Sequence, residues 1–301
     1  MRLVITLISC FQISFLFARY PINPRTNDSV FSFVFMTDIH LQPEKGAVKA
    51  FSMAIAEANK LQPDFVLTGG DNIMDALGQN WERSDSLYHI FQSMLKQLTC
   101  RIYTTMGNHD VFGLYEKSEV TPEHPEFGKK MYEHRLGKRY YSFDHKNWHF
   151  MVLDGIGIAD DRTYYGYVDQ EQMEWIKADL QKNGTSTSII ICTHIPLMSV
   201  ESQVALGPTK AFDKKSIINN ANEVRALFDG YPVKLVLQGH THFLEDIFYD
   251  SIHYITGGAI SGSVWNGPRD KMEEGFLSIT VRKNSFSWKY IDYDWDTKSH
   301  K

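Results

Sequence analysis

The sequence predicts an α/β protein built around a parallel sheet. Short apolar runs alternate with amphipathic stretches at helical spacing across residues 31–106. Residues 68–72 (TGGDN) follow the apolar run 65–67, which indicates a glycine turn at the end of a buried strand. Polar residues also gather where other apolar runs end. Because open α/β sheets bind ligands at the carboxyl ends of their strands, these residues mark the expected site.

The composition is that of an ordinary globular protein. Of 301 residues, 43% are hydrophobic and 22% are charged, and the formal net charge is −5. Nothing in this balance indicates a nucleic-acid-binding surface. The three cysteines, Cys10, Cys100 and Cys192, form no CxxC motif, so neither a disulfide scaffold nor a thiolate metal site is expected.

The first 20 residues are expected to be a signal peptide or hydrophobic leader. Arg2 precedes a mostly apolar run at 3–17, which is typical of export to the periplasm or the medium. The run is too short and interrupted for a membrane span, so no stable span is expected once it is removed. Lipid attachment at Cys10 and a retained anchor stay open. Residues 21–30 are expected to be a linker, and residues 31–295 a single domain.

In the first half of that domain, apolar residues recur at the spacing of strands and helices. Apolar runs predict strands at 31–37, 65–67 and 101–106. Apolar residues at helical spacing predict helices at 46–61 and 81–98. Residues 111–137 have no clear period and are expected to be a surface insertion. This order, in which strands alternate with helices, is the signature of a parallel sheet with crossover helices.

The second half is more varied. Residues 140–143 and 148–153 predict a hairpin, and Asp169 with Gln172 forms a capping-box pattern at the start of a helix over 169–183. Further predicted elements are strands at 188–192 and 233–237, a long polar connection at 197–220 and a short helix at 222–228. Three last strands, at 252–255, 276–281 and 286–293, are predicted to form a second, antiparallel sheet.

Five apolar runs each end in residue types that bind metals. A single histidine at a strand end is an ordinary solvated side chain, but five such ends predict one site along one edge of a sheet. The residues are Asp38 and His40, Asp71, Asn108 and His109, His194, and His240 and His242.

This ordered set resembles the calcineurin-like metallophosphoesterase family. The resemblance implies a four-layer α-β-β-α sandwich with two mixed β-sheets and a metal site at the carboxyl ends of the strands. It implies two groups of metal ligands that share Asp71 as a bridge. The first group is Asp38, His40 and His242, and the second is Asn108, His194 and His240.

The donor set predicts the cofactor. Imidazole, carboxylate and amide ligands without a thiolate suit two divalent or trivalent transition-metal ions, such as Mn, Fe, Zn or Co. The resemblance then implies a hydrolase acting on phosphoric ester bonds, in which a metal-bridging hydroxide attacks the phosphorus of a small phosphate ester. Phosphodiesterase and phosphomonoesterase or phosphoprotein phosphatase activities both stay open. A non-catalytic metal-binding module is the alternative from a different class.

The resemblance gives Asp71 and His109 the catalytic roles. His109 is expected near the leaving-group oxygen, as a general acid or a phosphate contact, with either Asp110 or Asp75 as its carboxylate partner. Asp110 as a turn or cap residue is the competing interpretation.

One position separates the branches of the family. Purple acid phosphatases carry a tyrosine where this chain has Met74, and they lack the histidine that is present here as His40. The chain therefore looks more like the cyclic-nucleotide phosphodiesterase and acid-sphingomyelinase-like branches, or like small protein phosphatases.

Substrate contacts are predicted in the loops above the metals. Asn108, His109, Trp265 and Arg269 are the candidates, since a tryptophan can stack on a ring and an arginine can clamp a phosphate oxygen. A packing role for Trp265 is the alternative. The sequence does not indicate the natural substrate, the metal or the oligomeric state.

Overall fold

Two mixed β-sheets lie face to face in a computed structural model that describes residues 30–297. In the first sheet, the first three strands of the chain are parallel to one another. Each of the other two strands pairs antiparallel with the strand beside it. Its order is β13-β12-β1-β2-β3, with β1 at Val30–Met36, β2 at Phe65–Thr68, β3 at Arg101–Tyr103, β12 at Gly275–Arg282 and β13 at Ser285–Asp292.

The second sheet has a parallel centre and one antiparallel strand at each edge. Its order is β10-β11-β9-β8-β5-β4, with β4 at Tyr141–His145, β5 at Trp148–Val152, β8 at Ser188–Cys192, β9 at Val233–Gln238, β10 at Leu244–Tyr249 and β11 at Ile252–Gly257. A separate hairpin pairs β6 (Ile156–Ile158) with β7 (Tyr164–Gly166).

Strand β1 shows why the layers form. Phe31, Phe33 and Phe35 point into the core between the sheets, whereas Val34 and Met36 join the outer core that the helices cover. This alternation follows from the two-residue period of a strand that is buried on both faces. The helices are α1 (Ala47–Lys60), α2 (Trp81–Leu95), α3 (Lys130–Leu136), α4 (Gln170–Asn183), α5 (Glu201–Leu206) and α6 (Ala221–Ala226). The predicted four-layer sandwich is thereby confirmed.

The predicted grouping of the last three strands is wrong. β12 pairs with β1 and extends the first sheet, while β11 runs parallel to β9 in the second sheet. Their local patterns do show strands, but a strand's partner depends on contacts with distant parts of the chain.

The segment at 111–137 is not the surface insertion that its lack of period predicted. Phe112, Leu114 and Tyr132 are fully buried, and the Tyr132 hydroxyl donates to Thr104 Oγ1 at 3.0 Å. The segment contains α3 and a 3-10 turn at Glu116–Ser118. Its apolar side chains reach the core from turns, where no regular period reveals them.

Helix α4 begins as predicted but lacks half of the expected capping box. Asp169 accepts the backbone N–H of Gln172 at 2.8 Å. The Gln172 side chain instead turns inward and bonds the backbone N–H and carbonyl of Asp154, both at 2.8 Å. Gln172 therefore ties α4 to the end of β5 rather than closing the helix terminus.

The predicted leader and all of the linker before Val30 lie outside the described residues. Within 30–297, no helix combines the length and the apolar character that a bilayer span requires.

Candidate metal centre

The side chains predicted at the strand ends meet in one place. Asp71, which follows β2, lies at the centre, and three imidazoles surround its Oδ2 atom. The Nε2 atoms of His194, His40 and His109 lie 3.1, 3.6 and 4.0 Å from that oxygen. Because β1 to β3 belong to the first sheet and β8 and β9 to the second, the cluster joins the carboxyl ends of both sheets.

One group of potential metal ligands lies on the β1 side of Asp71. His242 Nε2 lies 3.2 Å from Asp38 Oδ1 and 3.0 Å from His40 Nε2. All three side chains are buried, and their ligand atoms lie within 4.8 Å of one another.

A second group lies on the β8 side. His194 Nε2 is 3.2 Å from Asn108 Oδ1, and ligand atoms of Asp71, His194 and His240 lie within 4.8 Å of one another. The structure thus brings the residues of both expected ligand sets together, on either side of Asp71.

The hydrogen bonds around two of the histidines show that the cluster fits cations. His194 Nδ1 donates to the carbonyl of Gly69 at 2.8 Å, and His242 Nδ1 donates to that of Gly262 at 2.6 Å. Since a carbonyl only accepts, Nδ1 carries the proton and the Nε2 lone pair faces the cluster in each neutral imidazole. Both lone pairs therefore face other acceptors, an arrangement that a bound positive charge stabilises.

The electrostatics favour positive charge at the same point. Burial opposes the protonation of His194, but the carboxylates of Asp71 and Asp38 outweigh it and raise the His194 pKa to about 9. Burial and the neighbouring His194 lower the pKa of His240 to about 4. Burial also opposes the ionisation of Asp38. The charge of His242 and its hydrogen bond to Asp38 outweigh burial and lower the pKa of Asp38 to about 2. The carboxylates are thus ionised and ready to bind a metal.

The backbone at these positions is unusual. A left-handed backbone conformation costs a residue other than glycine about 1–2 kcal/mol. Residues in this conformation concentrate at functional sites. Five of the seven candidate ligands adopt them: Asp38 (φ 53°), His40 (46°), Asp71 (51°), His240 (72°) and His242 (56°). The turns after the strands therefore point several side chains inward at a cost in stability.

Two glycines allow these turns to approach one another. A Cβ atom at Gly107 would lie 2.1 Å from the backbone nitrogen of Asp71 and 2.2 Å from its Oδ1. A Cβ atom at Gly70, where φ is +94°, would lie 2.5 Å from His194 Nδ1. The glycine turn that marked the site in the sequence is thus required for close packing of the ligands.

Asp110 does not contact His109 in the way one prediction proposed. Its carboxylate accepts the backbone N–H groups of Gly107 at 2.8 Å and Asn72 at 3.0 Å, and the Asn72 side-chain amide at 2.8 Å. The structure therefore agrees with the interpretation of Asp110 as a turn residue, which here joins two ligand-bearing loops.

Asp75 is the carboxylate that lies beside His109. Its Oδ2 atom is 3.8 Å from His109 Nδ1, and the other ring nitrogen of His109 faces Asp71. The His109 side chain is 24% exposed, whereas those of His40 and His194 are almost fully buried. An entering substrate can therefore reach His109 more readily than it can reach His40 or His194.

Trp265 is not available to stack on a substrate, which corrects that prediction. Its ring is only 3% exposed, and its indole N–H donates to the backbone carbonyl of His40 at 2.9 Å. The alternative packing role is the one that the structure agrees with. The Arg269 side chain is 37% exposed, and its Nη2 atom lies 3.5 Å from Glu201 Oε1.

Tyr164 is a residue of the site that sequence patterns did not reveal. Its ring lies edge-on to that of His240, with a centroid distance of 6.3 Å. The three-residue strand β7, which carries Tyr164, is too short for its period to be recognised, so no sequence signal pointed to this side of the site.

Comparison with known proteins agrees with the geometry. The family model for calcineurin-like phosphoesterases matches residues 31–244. A probable cyclic nucleotide phosphodiesterase of Coxiella burnetii is 26% identical over 218 residues, which cover 69% of this chain and 74% of that relative.

Two solved structures share the fold. A dimetal phosphatase from Danio rerio aligns with a TM-score of 0.59 at 14% identity, over 88% of this chain and 99% of that chain. GAP50, the anchor in the inner membrane complex of Plasmodium, aligns with a TM-score of 0.54 at 12% identity, over 88% of this chain and 85% of that chain. At such low identity these likenesses concern the fold alone.

Proposed function

The chain belongs to the calcineurin-like phosphoesterase family, and we propose that it hydrolyses a small phosphate diester with two transition-metal ions. One observation carries this proposal. Asp71 Oδ2 lies within 4.0 Å of three imidazole nitrogens, between two groups of potential ligands of which only His240 is partly exposed. A shared carboxylate with a ligand group on either side is the arrangement that a metal pair requires.

The proposed roles follow the two groups. Asp38, His40 and His242 would hold one ion, Asn108, His194 and His240 would hold the other, and Asp71 would contact both. When bound, such ions supply positive charge for the phosphate ester and lower the pKa of a coordinated water toward about 7. Asp38 and Asp71 limit the excess positive charge, since both are ionised at neutral pH.

His109 would act on the substrate directly. Its Nε2 atom lies 4.0 Å from Asp71 Oδ2, and Asp75 lies 3.8 Å from its Nδ1 atom, where the carboxylate can orient the ring. This geometry suits proton donation to a leaving-group oxygen or a hydrogen bond to a phosphate oxygen. Asn108 and Arg269 are the further proposed substrate contacts.

Two observations favour a diester over a monoester. The Coxiella relative is named as a probable cyclic nucleotide phosphodiesterase. This chain also has His40, at a position where purple acid phosphatases have no histidine. Phosphomonoester or phosphoprotein hydrolysis at the same centre is the alternative.

The test combines metal analysis with turnover. Purified protein is expected to hold about two transition-metal ions per chain and to hydrolyse bis-(p-nitrophenyl) phosphate faster than p-nitrophenyl phosphate. Asp71→Asn should abolish turnover and weaken the binding of both ions, whereas Asp229→Asn, at an exposed residue between α6 and β9, should change neither. A folded protein that binds no metal and hydrolyses neither ester would support a non-catalytic binding module instead.

We also propose that residues 1–20 direct export and that residues 31–295 form one domain. The support is the apolar run after Arg2 and the family match, which begins at residue 31. Sequencing the amino terminus of protein recovered from the periplasm or the medium tests the first point. An uncleaved protein in the cytoplasm would contradict it.

A further inference from the structure

Hairpin β6–β7 and the segment at 213–219 form a wall on the His240 side of the metal centre. The backbone N–H of Gly166 donates to the carbonyl of Lys214 at 2.8 Å, and that of Asn219 donates to the carbonyl of Gly166 at 2.8 Å. A parallel bridge between Gly166 and Ile218 extends this pairing. The backbone thus fixes the position of Tyr164 on β7 relative to Lys215.

A row of rings leads outward along this wall. The rings of His194 and His240 lie 5.1 Å apart, those of His240 and Tyr164 lie 6.3 Å apart, and both pairs meet nearly edge to face. Lys215 Nζ lies 5.4 Å from the centroid of the Tyr164 ring. The row therefore begins beside Asp71 and ends in an ammonium group that rests on an aromatic face.

The Lys215 ammonium has no salt bridge in the described part of the chain, since no described carboxylate lies within 4.0 Å of its Nζ atom. Asp161 interacts with it only at longer range. Two nearby aspartates hydrogen-bond local groups instead: Asp213 accepts the backbone N–H groups of Lys215 and Ser216, and Asp161 accepts the N–H and hydroxyl of Thr163. No described residue hydrogen-bonds the Tyr164 hydroxyl.

Tyr164 adds a second polar group to the wall. Its phenolic hydroxyl can donate a hydrogen bond as well as accept one. The wall therefore offers a cation and a hydroxyl donor to a solute that occupies the metal centre.

We propose that Tyr164 and Lys215 form a subsite for a second anionic group of the substrate, an inference that rests on the proposed phosphoesterase function. The group is a further phosphate or a carboxylate on the part of the ester that lies over His240. The preferred substrate class is thus a phosphate ester that carries another anion near the scissile phosphate. A flexible lysine that has no ion pair suits this task because it can reach an anion without breaking a salt bridge.

The kinetic test uses two esters that differ by one anion. Thymidine 5′-(p-nitrophenyl phosphate) and the same compound with a 3′-phosphate share their leaving group and scissile bond. Lys215→Gln should lower kcat/KM about tenfold for the 3′-phosphorylated ester, as expected for one charge-assisted contact, and leave the other ester nearly unchanged. Lys214→Gln removes an equal charge from the adjacent exposed residue and should not alter the ratio of the two values.

A binding measurement tests the proposed anion subsite without relying on turnover. In calorimetric titrations of metal-loaded protein, the wild type should bind thymidine 3′,5′-bisphosphate more tightly than thymidine 5′-monophosphate, and Lys215→Gln should lose most of that preference. If Lys215→Gln keeps the preference, or if Lys214→Gln loses it equally, the subsite is refuted. Failure of the wild type to hydrolyse any ester would refute the proposed function, while the titrations would still judge the subsite.

Discussion

Asp71 and Asp110 are carboxylates of the same centre with opposite protonation behaviour. Burial opposes the ionisation of Asp71, but His194 and His109 outweigh it and hold its pKa well below the usual range. Burial and the charge of Asp71 instead raise the pKa of Asp110 to about 7. Asp71 faces imidazoles and Asp110 faces backbone N–H groups, so the first is suited to metals and the second to joining loops.

His109 should depend on Asp75 for the proton-transfer step. We expect Asp75→Asn to slow hydrolysis about tenfold for esters with poor leaving groups, because the change removes the carboxylate that faces the His109 ring during proton donation. Esters of p-nitrophenol, whose leaving group needs little protonation, should be affected least. The measurement is kcat across a series of aryl and alkyl esters at constant pH.

Equal slowing across that series would show that Asp75 supports the structure of the site rather than proton donation by His109. Metal content provides the control, since Asp75→Asn should retain the ions of the wild type.

His149 should make stability depend on pH far from the metal centre. Its ring lies between Asp144 and Asp179, with both N···O distances at 2.7 Å. Burial opposes its protonation, but the hydrogen bonds to Asp179 and Asp144 outweigh it and raise its pKa above 6.5. Because the folded state binds the proton more tightly, this stabilisation is complete below pH 6.5 and is lost as pH rises through the folded pKa.

Urea unfolding of the wild type and of His149→Gln tests this prediction. The difference in free energy of unfolding should be larger at pH 6 than at pH 9, because the stabilisation from the bound proton is lost as pH rises through the folded pKa. A difference that does not vary with pH would assign the effect of the substitution to packing.

The elements differ in how much of them the sequence could predict. Strands β1, β2, β8 and β9 are buried on both faces and end in turns, so their apolar runs have clear limits. Since those runs also place the metal-binding residue types, most of the candidate centre was predictable. Strand β10 was missed because its outer side chains, such as Phe248 and Tyr249, are exposed apolar groups that blur its alternation.

Long-range contacts account for the remaining errors. Local pattern gave no reason for β12 to join β1, and nothing in residues 111–137 showed that turns carry Phe112 and Leu114 into the core. Trp265 was misassigned for a related reason. Its partner, the carbonyl of His40, lies far away in the chain, so a buried role and an exposed one looked alike in the sequence.

The turn after β3 should tolerate no side chain at Gly107. A methyl group there would collide with the backbone and carboxylate of Asp71, so Gly107→Ala should displace that residue and lower metal affinity at least tenfold. Metal titration followed by calorimetry measures the change.

Gly184→Ala is the matched control. Gly184 follows α4 with φ of +74° and ψ of −165° and has open space around it, so alanine should cost about 1–3 kcal/mol of stability without touching the site. If Gly184→Ala weakened metal binding as much as Gly107→Ala, general destabilisation rather than collision would explain both.

The candidate centre spans the boundary between the two sheets. The first sheet supplies Asp38, His40, Asp71 and Asn108, and the second supplies His194, His240 and His242. Left-handed backbone at several ligands, together with the burial of two carboxylates, destabilises this edge when no cation is present. A bound metal pair would therefore join the two halves of the sandwich as well as provide chemistry.

Removal of the metals should consequently lower the stability of the whole domain. With free metal at 100 times its dissociation constant, one site stabilises the folded state by about 2.7 kcal/mol. For a chain of this size, that corresponds to a fall in Tm of roughly 5–10 °C after chelation. Scanning calorimetry of metal-loaded and chelator-treated protein measures the shift. Asp71→Asn should start near the lower Tm and respond little to chelator, because the shared ligand is already lost. Equal Tm values for loaded and stripped wild type would show that the sheets hold together without the ions, and that the strained turns are stabilised by protein contacts alone.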